Sequence, residues 1–458
     1  MFHKEGVPHA SPTAPDPRAN APAAQTEMLD VLVIGGGPAG TTAATLLAQA
    51  GWQVQLLEKD QHPRFHIGES LLPGNLPILE QLGVLEQVKA LGVFKPGADF
   101  TAPDGKVMSF PFKRALGDTP GHAFQVRRSE FDQLLFENAR HNGVDTRSKH
   151  TVKRIQRHTG WTEVHFTDAQ GVAQVSRARL VIDASGRDGL VARQAGWRIR
   201  SRRHASAAIF GHFRNVTRRD GELTGNISVY WFEHGWVWMI PLRDNIMSVG
   251  AVCWPTFLRT RQGDLETFLR RVLATIPGAG ERMQHAELVG EVNATGNYSY
   301  RSRRLFDDGV LLVGDAYAFI DPVFSSGVYL AMNSARLSVA PADAWLRGDP
   351  RAFRRACRAY AKAVNSKIGA FAWFIYRFTT PTMRDLFRNP RNDWQVEQAV
   401  VSMLAGDGDG SADIRARLRI FKTIYAGYRL KRMTASLRAW RRRRSNLQTT
   451  FTDETILS

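Results

Sequence analysis

The chain has 458 residues, 43% of them hydrophobic, which is enough for a large core and too much for a disordered protein. Lys and Arg outnumber Asp and Glu by 61 to 43, for a formal net charge of +18. This charge predicts attraction to an acidic partner, such as a nucleic acid, an anionic membrane or an acidic protein. Two cysteines, Cys253 and Cys357, are too few for a disulfide framework or a zinc site, so we expect a cytoplasmic protein.

Residues 1–28 are rich in Pro, Ala and His and lack the apolar segment of a signal peptide. They predict a disordered tail. No apolar run reaches the ~18 residues that a membrane-spanning helix needs. We therefore expect a soluble protein.

Residues 30–59 predict a nucleotide-binding βαβ unit. A short apolar strand ends at Gly35, Gly37 and Gly40, which have G-x-G-x-x-G spacing. Glycines at these positions allow a tight turn, close approach of a pyrophosphate and packing of the next helix on the strand. Glu58 follows the second strand, at the usual distance for accepting a hydrogen bond from a ribose hydroxyl. The alternative is a glycine-rich turn that binds nothing.

Lys95 lies in an apolar, proline-restrained stretch, Gly92–Ala98, unlike most lysines of the chain. A single lysine is usually a solvated surface charge. A catalytic role is the alternative, because an apolar setting changes the chemistry of an amine.

Two later strands end as the first one does. One apolar run leads into Asp183 and Gly186, and another leads into Gly314 and Asp315. Ligands of open α/β sheets bind at such carboxyl ends of strands. The long separations along the chain predict one nucleotide domain assembled from distant segments, with an insert between them.

The insert, about Gly196 to Tyr300, alternates apolar and polar residues in short runs such as Ile227–Phe232 and Ile246–Cys253. This pattern predicts an antiparallel sheet. Trp236 and Trp238 fall on one face of a strand. Core packing explains this pair as well as a functional role does.

A helix is expected at residues 328–337, introduced by Pro322 and Ser325–Gly327. Free amides and the positive end of the helix dipole favour an anion at such a start. The amides of Ser326 and Gly327 could stabilise a negatively charged ring, hold a small anion such as a halide, or do both.

Beyond residue 348 the pattern predicts helices at 353–376 and 413–440, separated by the glycine-rich loop 406–410. The last helix is strongly basic as far as Arg444. It is either a solvated basic face or a docking site for an acidic carrier protein or, peripherally, for an anionic membrane. No nucleic-acid recognition module accompanies the charge, so we expect no nucleic-acid partner.

The glycine motif with Glu58, D-A-S-G at Asp183 and G-D-A at Asp315 together resemble the FAD-binding architecture of the p-hydroxybenzoate hydroxylase type. That family includes aromatic hydroxylases, prenyl reductases and flavin-dependent halogenases. The resemblance implies that Glu58 holds the adenosine ribose and Asp315 the ribityl chain. The FAD-binding residues it implies are Gly35, Gly37, Gly40, Glu58, Glu69, Ser70, Gln125, Arg128, Asp183, Gly186, Gly314 and Asp315. For Arg128, a solvated arginine on a helix face is an equal alternative.

Three features in order resemble the flavin-dependent halogenases: G-x-G-x-x-G, Lys95 in F-K-P-G-A, and W-x-W-x-I-P at Trp236. The segments GESLLP and DP-x-FSSGV are similar to the branch that halogenates pyrrolyl and phenolic groups, either free or on carrier proteins. The resemblance implies FAD reduced by a separate flavin reductase, O2, and chloride or bromide as halide.

By this resemblance Ser326 and Gly327 hold the halide, Trp236 and Trp238 keep the substrate away from the flavin, and Lys95 delivers hypohalous acid to an aromatic ring. We cannot place the additional glutamate of the halogenases that act on free tryptophan. Its absence from the recognisable motifs argues against tryptophan as substrate.

The expected fold class is α/β, with an FAD-binding Rossmann-type domain, an antiparallel β-sheet substrate domain and a helical C-terminal region. The expected division is a tail at 1–28, the FAD domain at 29–195 plus 301–347, the substrate domain at 196–300, helices at 348–444 and a flexible tail at 445–458. Part of 96–125 is expected to contribute to the substrate side. Rival functions are an aromatic hydroxylase or prenyl reductase of the same fold, and a non-catalytic flavoprotein recruited by its basic end.

Overall fold

The computed structural model describes residues 27–201, 206–296, 299–390 and 392–448. Most of the two expected tails, residues 1–26 and 449–458, lie outside the described residues. The strands are β1 (Met28–Ile34), β2 (Val54–Leu57), β3 (Val93–Lys95), β4 (Gly97–Thr101), β5 (Val107–Pro111), β6 (Ala123–Gln125), β7 (Asp145–Arg147), β8 (Thr151–His158), β9 (Trp161–Thr167), β10 (Ala173–Asp183), β11 (Arg198–Arg200), β12 (Ala207–Arg214), β13 (Ile227–Phe232), β14 (Gly235–Pro241), β15 (Ile246–Cys253), β16 (Glu287–Thr295), β17 (Tyr300–Ser302), β18 (Phe306–Asp307), β19 (Val310–Leu312) and β20 (Ala318–Phe319).

The helices are α1 (Pro38–Gln49), α2 (Leu76–Gln81), α3 (Leu85–Leu91), α4 (Arg128–His141), α5 (Leu190–Gln194), α6 (Pro255–Leu258), α7 (Leu265–Ala274), α8 (Ala279–Arg282), α9 (Ser326–Leu346), α10 (Pro350–Ile375), α11 (Pro381–Arg388), α12 (Val396–Ala405), α13 (Ala412–Lys431) and α14 (Met433–Gln448). None of the described helices is long and apolar enough to cross a membrane.

A mainly parallel sheet carries the three strand ends that the sequence singles out. Its central order is β18-β19-β10-β1-β2-β7. In the register, Ile34 of β1 pairs with Asp183 of β10, and Asp183 pairs with Leu312 of β19. Segments far apart in the chain are therefore neighbours, and their carboxyl ends meet at one edge, as the apolar runs predict.

A second sheet of seven strands has the order β16-β12-β15-β14-β13-β4-β5. Its pairs are antiparallel except for β13 with β4, which is parallel. Strands β13 and β15 have the bounds that the sequence predicts. Strands β4 and β5 join this sheet from the region before residue 125.

The two faces of the seven-stranded sheet belong to different cores. Trp236 and Trp238 pack in a large aromatic core with Phe100 and Phe324, whereas Val237 and Met239 pack under helix α7. The predicted alternation is therefore confirmed. The aromatic core continues into helices α10 to α13 through residues such as Phe374 and Phe421.

The C-terminal helices differ from the sequence expectation in two respects. Helices α11 and α12 lie between the two predicted helices and were not predicted. The predicted run 413–440 divides at Arg432 into α13 and α14, and α14 continues to Gln448. Cys253 and Cys357 are free, buried thiols in separate cores.

Candidate active site

The start of helix α1 is open toward a ligand. Gly35 has φ +104°, and a Cβ there would lie 2.5 Å from the carbonyl oxygen of Ala184; a Cβ on Gly40 would lie 1.8 Å from the Gly35 carbonyl oxygen. A Cβ on Gly37, in contrast, would meet only the Arg64 guanidinium, at 3.8 Å. Gly35 and Gly40 are thus required for packing, while Gly37 leaves space in front of the helix.

Gly37 is the N-cap of α1, and no side chain caps the helix or adds an acidic group in its first turn. The free amides and the helix dipole therefore face the space at Gly37. A phosphate group is the ligand that such a start binds best.

Glu58 is buried beside this helix start. Its carboxylate accepts hydrogen bonds from the backbone N–H of Gly36 at 2.6 Å and of Asp60 at 2.8 Å. Each carboxylate oxygen can accept a further bond, so the residue still fits a ribose hydroxyl. Arg64, which sequence reasoning missed, lies 3.8 Å from Glu58 and 3.7 Å from Asp132.

Asp183 has a different environment from the one expected for a cofactor ligand. It is fully buried, and its carboxylate accepts from Ser185 N at 3.0 Å, Ser185 Oγ at 2.6 Å and Val191 N at 2.8 Å. Both oxygens therefore stabilise the loop that follows β10, in which Gly186 has φ +60°. Asp183 therefore orders this loop, and its direct contact with a cofactor stays a prediction.

Asp315 lies at the third strand end, one residue after Gly314. Gly314 has φ +57°, and its N–H donates to Ser334 Oγ at 2.8 Å. The Asp315 carbonyl accepts from the Tyr300 hydroxyl at 2.8 Å. Burial raises the pKa of the Asp315 carboxyl to about 6, against the opposing charges of Arg187 and Arg128. A carboxyl with this pKa fits a hydrogen bond to a hydroxyl-bearing chain.

Helix α9 begins at Ser326, two residues earlier than the sequence pattern predicts. Its N-cap, Ser325, has φ +57° and makes no side-chain capping bond. The Ser326 side chain is buried, and its hydroxyl has no partner among the described residues. Nothing lies within 4 Å of the position that a Cβ on Gly327 would take. This helix start can therefore accept a small anion.

Lys95 is buried, with 1% of its surface exposed, so the interpretation as a solvated charge is wrong. Its Nζ donates to Ser70 Oγ and to the Leu71 carbonyl, each at 2.8 Å, and lies 5.1 Å from the centre of the Phe112 ring. No carboxylate forms an ion pair with it among the described residues. Burial lowers the pKa of Lys95 to about 7, so a large fraction of the amine is unprotonated near neutral pH.

Ser70 and Glu69 lie on the segment that faces Lys95. Ser70 is expected from the resemblance to bind the cofactor, but the structure shows its hydroxyl bonded to Lys95. Glu69 Oε1 lies 2.7 Å from His212 Nε2 on β12. The G-E-S segment thus joins the lysine to the seven-stranded sheet, a connection that no local sequence pattern indicates.

Gln125 and Arg128 are both buried next to this segment. Gln125 forms an isolated bridge with Ser70, and its Nε2 donates to the Gly225 carbonyl at 3.1 Å. Its Oε1 has no partner among the described residues, so it can accept a bond from a ligand. Arg128 donates to both oxygens of Asp132, at 2.7 and 2.8 Å, and to the Ile67 carbonyl at 2.7 Å. The alternative of a solvated arginine is therefore wrong.

Trp236 and Trp238 are adjacent on one face of β14, with ring centres 5.7 Å apart. Trp238 donates to Ser248 Oγ at 3.2 Å, and a Cβ on Gly250 would lie 2.3 Å from the Trp238 ring. The pair is thus held rigidly in the aromatic core. The hydrogen bonds of Lys95 run to residues 70 and 71 and not to this pair.

These observations test whether FAD fits. The uncapped helix start, with space at Gly37, supplies N–H donors for a phosphate. Glu58 and the Asp315 carboxyl supply acceptors for hydroxyl groups such as those of a ribose. The unpartnered Gln125 oxygen supplies an acceptor for a polar ring. Gly37, Glu58 and Asp315 follow β1, β2 and β19 at one edge of the parallel sheet, and Gln125 lies on β6 of a separate two-stranded sheet. The residues present therefore fit a dinucleotide.

Comparison with known proteins agrees with this fit. The family model described as "FAD binding domain" matches residues 28–348. Tryptophan 2-halogenase of Chondromyces crocatus is 37% identical over 332 residues, 70% of this chain and 62% of that protein. The chain thus spans less than two thirds of that relative's length. The 1H-pyrrole-2-carbonyl-[peptidyl-carrier protein] chlorinase of Pseudomonas fluorescens is 31% identical over 68% of this chain and 74% of that protein.

Two solved structures are also similar. A flavoprotein/dehydrogenase of Cytophaga hutchinsonii has a TM-score of 0.82 and 30% identity, covering 89% of this chain and 100% of that one. A myxobacterial chondrochloren halogenase has a TM-score of 0.72 and 32% identity, covering 86% and 96%. The resemblance seen in the sequence motifs is confirmed. The chain belongs to the FAD-binding domain family and, within it, to the flavin-dependent halogenases.

Proposed function

We propose that the protein halogenates an electron-rich aromatic compound, using reduced FAD, O2 and chloride or bromide. The observation that carries this proposal is the buried amine of Lys95, bonded only to neutral oxygens and with a pKa lowered to about 7. When bound, reduced FAD supplies with O2 the oxidising power that converts a halide to hypohalous acid.

The FAD-binding residues follow from the open edge of the parallel sheet. Gly35, Gly37 and Gly40 shape the helix start for the pyrophosphate, Glu58 accepts from the adenosine ribose, and Asp315 contacts the ribityl chain. Gln125 contributes its unpartnered oxygen, and Gly314 and Gly186 provide the turns at their strand ends. Arg128 and Glu69 position the neighbouring segment, and the amides of Ser326 and Gly327 hold the halide.

Lys95 transfers the halogen. The unprotonated amine attacks hypohalous acid, forming an N–halogen bond and releasing water; the aromatic carbon then takes the halogen, and the ring proton leaves as the amine is restored. Alternatively the protonated Nζ hydrogen-bonds hypohalous acid and orients it. Ser70 and the Leu71 carbonyl fix the direction of the Nζ lone pair. Trp236 and Trp238 form a bulky wall that keeps the substrate from the cofactor.

The arene is phenolic, pyrrolyl or indolic. The chlorinase relative is named for a pyrrole held on a carrier protein, and another relative is named for tryptophan. The missing glutamate therefore does not exclude tryptophan, and we include tryptophan in the substrate screen.

An acidic carrier protein is the partner we favour for the basic C-terminal helices. Leu430 and Trp440 are 75% and 52% exposed there, and Met433 and Leu437 are exposed at helical spacing between them. Arg429, Arg438 and Arg441 are exposed on the same two helices. Such a mixed surface suits an acidic protein; binding to anionic vesicles instead would point to a membrane contact. A separate flavin reductase completes the set of partners.

The decisive experiment incubates the protein with FAD, a flavin reductase, NADH and bromide, and screens a phenol, a pyrrole and tryptophan by mass spectrometry. A bromine isotope pattern in one product supports the proposal. A product that gains only oxygen supports a hydroxylase, reduction of a prenyl chain supports a reductase, and FAD binding without oxygen consumption supports a non-catalytic flavoprotein.

The FAD site has its own test in two glycine variants. Gly37→Ala fits the free protein but places a methyl group where the pyrophosphate would lie, so we expect normal folding and FAD affinity reduced at least tenfold. Gly40→Ala is the matched control, because its Cβ collides with the Gly35 carbonyl, and we expect it to lower thermal stability. Unchanged FAD affinity in Gly37→Ala would place the pyrophosphate elsewhere.

A further inference from the structure

An open pocket of about 230 Å³ lies where helix α11 meets the seven-stranded sheet. Its lining includes Trp231 of β13, Pro103 beyond the end of β4, and Arg384, Asp385 and Arg388 of α11. The proposed function gives none of these residues a role.

Two buried donors at this pocket lack acceptors. Trp231 is 1% exposed, and its Nε1 has no partner among the described residues. The Nε of Arg384 is likewise buried without an acceptor in the described part of the chain, while its Nη2 donates to the Phe232 carbonyl at 2.9 Å. Buried donors are normally paired, because an unpaired one loses its bonds to water without replacement. A third such atom is Asp385 Oδ2, which makes no hydrogen bond in the described part of the chain although Arg432 Nη1 lies 2.6 Å away. We take the two donors without acceptors as the sign that a ligand supplies an acceptor here.

The charges around the pocket identify the kind of acceptor. Arg388 pairs with Asp104, Asp385 pairs with Arg432 at 2.6 Å, and Arg442 pairs with Glu233 at 3.0 Å. Within the described ranges, no carboxylate lies within ion-pair distance of Arg384. Burial, followed by the charge of Arg442, lowers the pKa of Arg384 to about 10, so this guanidinium remains charged at neutral pH. A free, partly desolvated guanidinium favours an oxyanion.

The pocket adjoins the aromatic core that also contains the ring beside Lys95. Trp231 stacks on Phe100 with ring centres 5.8 Å apart, and Phe100 meets Phe110 at 5.4 Å. Phe112, next to the amine of Lys95, belongs to the same core. The pocket and the Lys95 side chain therefore both border the same aromatic core.

We propose that this pocket binds an anionic oxygen group, a carboxylate or a phosphate, of the aromatic substrate, with Arg384 and the Trp231 indole N–H as donors. This inference rests on the proposed function, because it assigns the group to the substrate of that reaction. Pro103 and Pro381 provide apolar walls for the chain that bears the anion. The group belongs either to a free aromatic acid or to the phosphodiester of a carrier-bound arm.

Binding measurements on the full-length protein test the proposal without turnover. The probes are 4-hydroxybenzoate, its neutral analogue 4-hydroxybenzamide, and phosphopantetheine, titrated by calorimetry. We expect at least one anion to bind tenfold or more tightly than the amide, and to lose at least tenfold in Arg384→Gln. Tighter binding of phosphopantetheine identifies the carrier arm as the source, and tighter binding of the benzoate identifies a free acid.

Two further variants make the test specific. Trp231→Phe keeps an aromatic ring in the core and removes only the N–H, so we expect about threefold weaker anion binding with unchanged thermal stability. Arg355→Gln, on an exposed position of α10, is the matched loss of one positive charge and should change nothing.

Equal binding of acid and amide, no binding of either anion, or an unchanged affinity in Arg384→Gln would each overturn the subsite. A failure of the halogenase proposal gives a different result: the anion binds and depends on Arg384, yet no substrate gains halogen. Conversely, halogenation with a KM that Arg384→Gln leaves unchanged removes the subsite and leaves the halogenase.

Discussion

Lys95 and Arg128 are two buried cations with opposite surroundings. Arg128, 5% exposed, is held by both oxygens of Asp132, and although burial opposes it, this partner raises the pKa of the guanidinium. Lys95 has no such partner among the described residues, and burial alone brings its pKa to about 7. The difference shows that burial brings the pKa of a cation toward neutrality only where no carboxylate compensates the charge.

The presence or lack of a carboxylate partner also suits Arg128 and Lys95 to different roles. A compensated guanidinium stays charged and rigid, so Arg128 organises the segment that contains Ile67. An uncompensated amine exchanges its proton near neutral pH, which suits a group that accepts an electrophile.

Lys95→Met should have the largest effect. Methionine fills the site without an amine, so we expect halogenation to fall by at least about 10³-fold, as removal of a nucleophilic group typically does. Because the buried charge is gone, the free energy of unfolding at pH 6 should rise by roughly 1–4 kcal/mol. Product assays and denaturant unfolding measure the two effects. Normal turnover in Lys95→Met would refute the role of the lysine.

Lys95→Arg should also be inactive, since a guanidinium does not deprotonate.

Asp132→Asn should have the next largest effect, and on stability. It removes the charge that compensates Arg128, so we expect a loss of about 3–5 kcal/mol in unfolding free energy. Asp60→Asn is the matched control, because Asp60 lies 3.6 Å from Arg64 in a half-exposed ion pair, and should cost less than about 1 kcal/mol. Equal effects of the two variants would mean that Asp132 does not compensate a buried charge.

The pH dependence should follow from the pKa of Lys95. The unprotonated fraction of Lys95 rises through about pH 7, so the rate of halogen transfer in single-turnover assays should rise between pH 6 and 8 and then level off.

The free energy of unfolding should also increase with pH because of Lys95. The folded-state pKa lies below the ordinary value of 10.5, so the unfolded chain binds more protons between these values and stability rises with pH there. Lys95→Met should lack this rise, which unfolding at pH 7 and 9 would reveal.

Ser70→Ala should have the smallest effect. It leaves Nζ with the Leu71 carbonyl alone, so we expect a loss of about fivefold in kcat, corresponding to a hydrogen bond of roughly 1 kcal/mol. FAD affinity should not change. Ser70→Thr, which retains the hydroxyl, should recover most of the rate. A large loss of FAD affinity in Ser70→Ala would instead return this serine to the cofactor site.

Much of the fold could be predicted from local pattern. The apolar runs before Gly35, Asp183 and Gly314 indicate strands buried on both faces, as in a parallel sheet covered by helices, and the Trp236 to Met239 pattern indicates the two faces of β14. Element ends were less predictable: α9 begins at Ser326 because a left-handed Ser325 turns the chain there, and no residue type demands that conformation.

The partners of the site residues were not predictable, since they come from distant segments. Ser70 was expected at the cofactor and lies on Lys95, and Asp183 was expected to bind a ligand and orders its own loop. The pairing of Glu69 with His212 joins residues 143 positions apart. Side-chain hydrogen bonds of this kind depend on how elements pack, which the local sequence does not encode.

By itself the amino-acid sequence determined the class of protein, because glycine spacing, strand ends and the order of a few motifs are local properties of the chain. Only the tertiary structure decided the chemistry of the individual side chains. The pKa of Lys95 depends on burial without a carboxylate partner among the described residues, and that of Arg128 on the presence of Asp132. Desolvation and Coulomb interactions act through space, so they are set by packing and not by the order of residues.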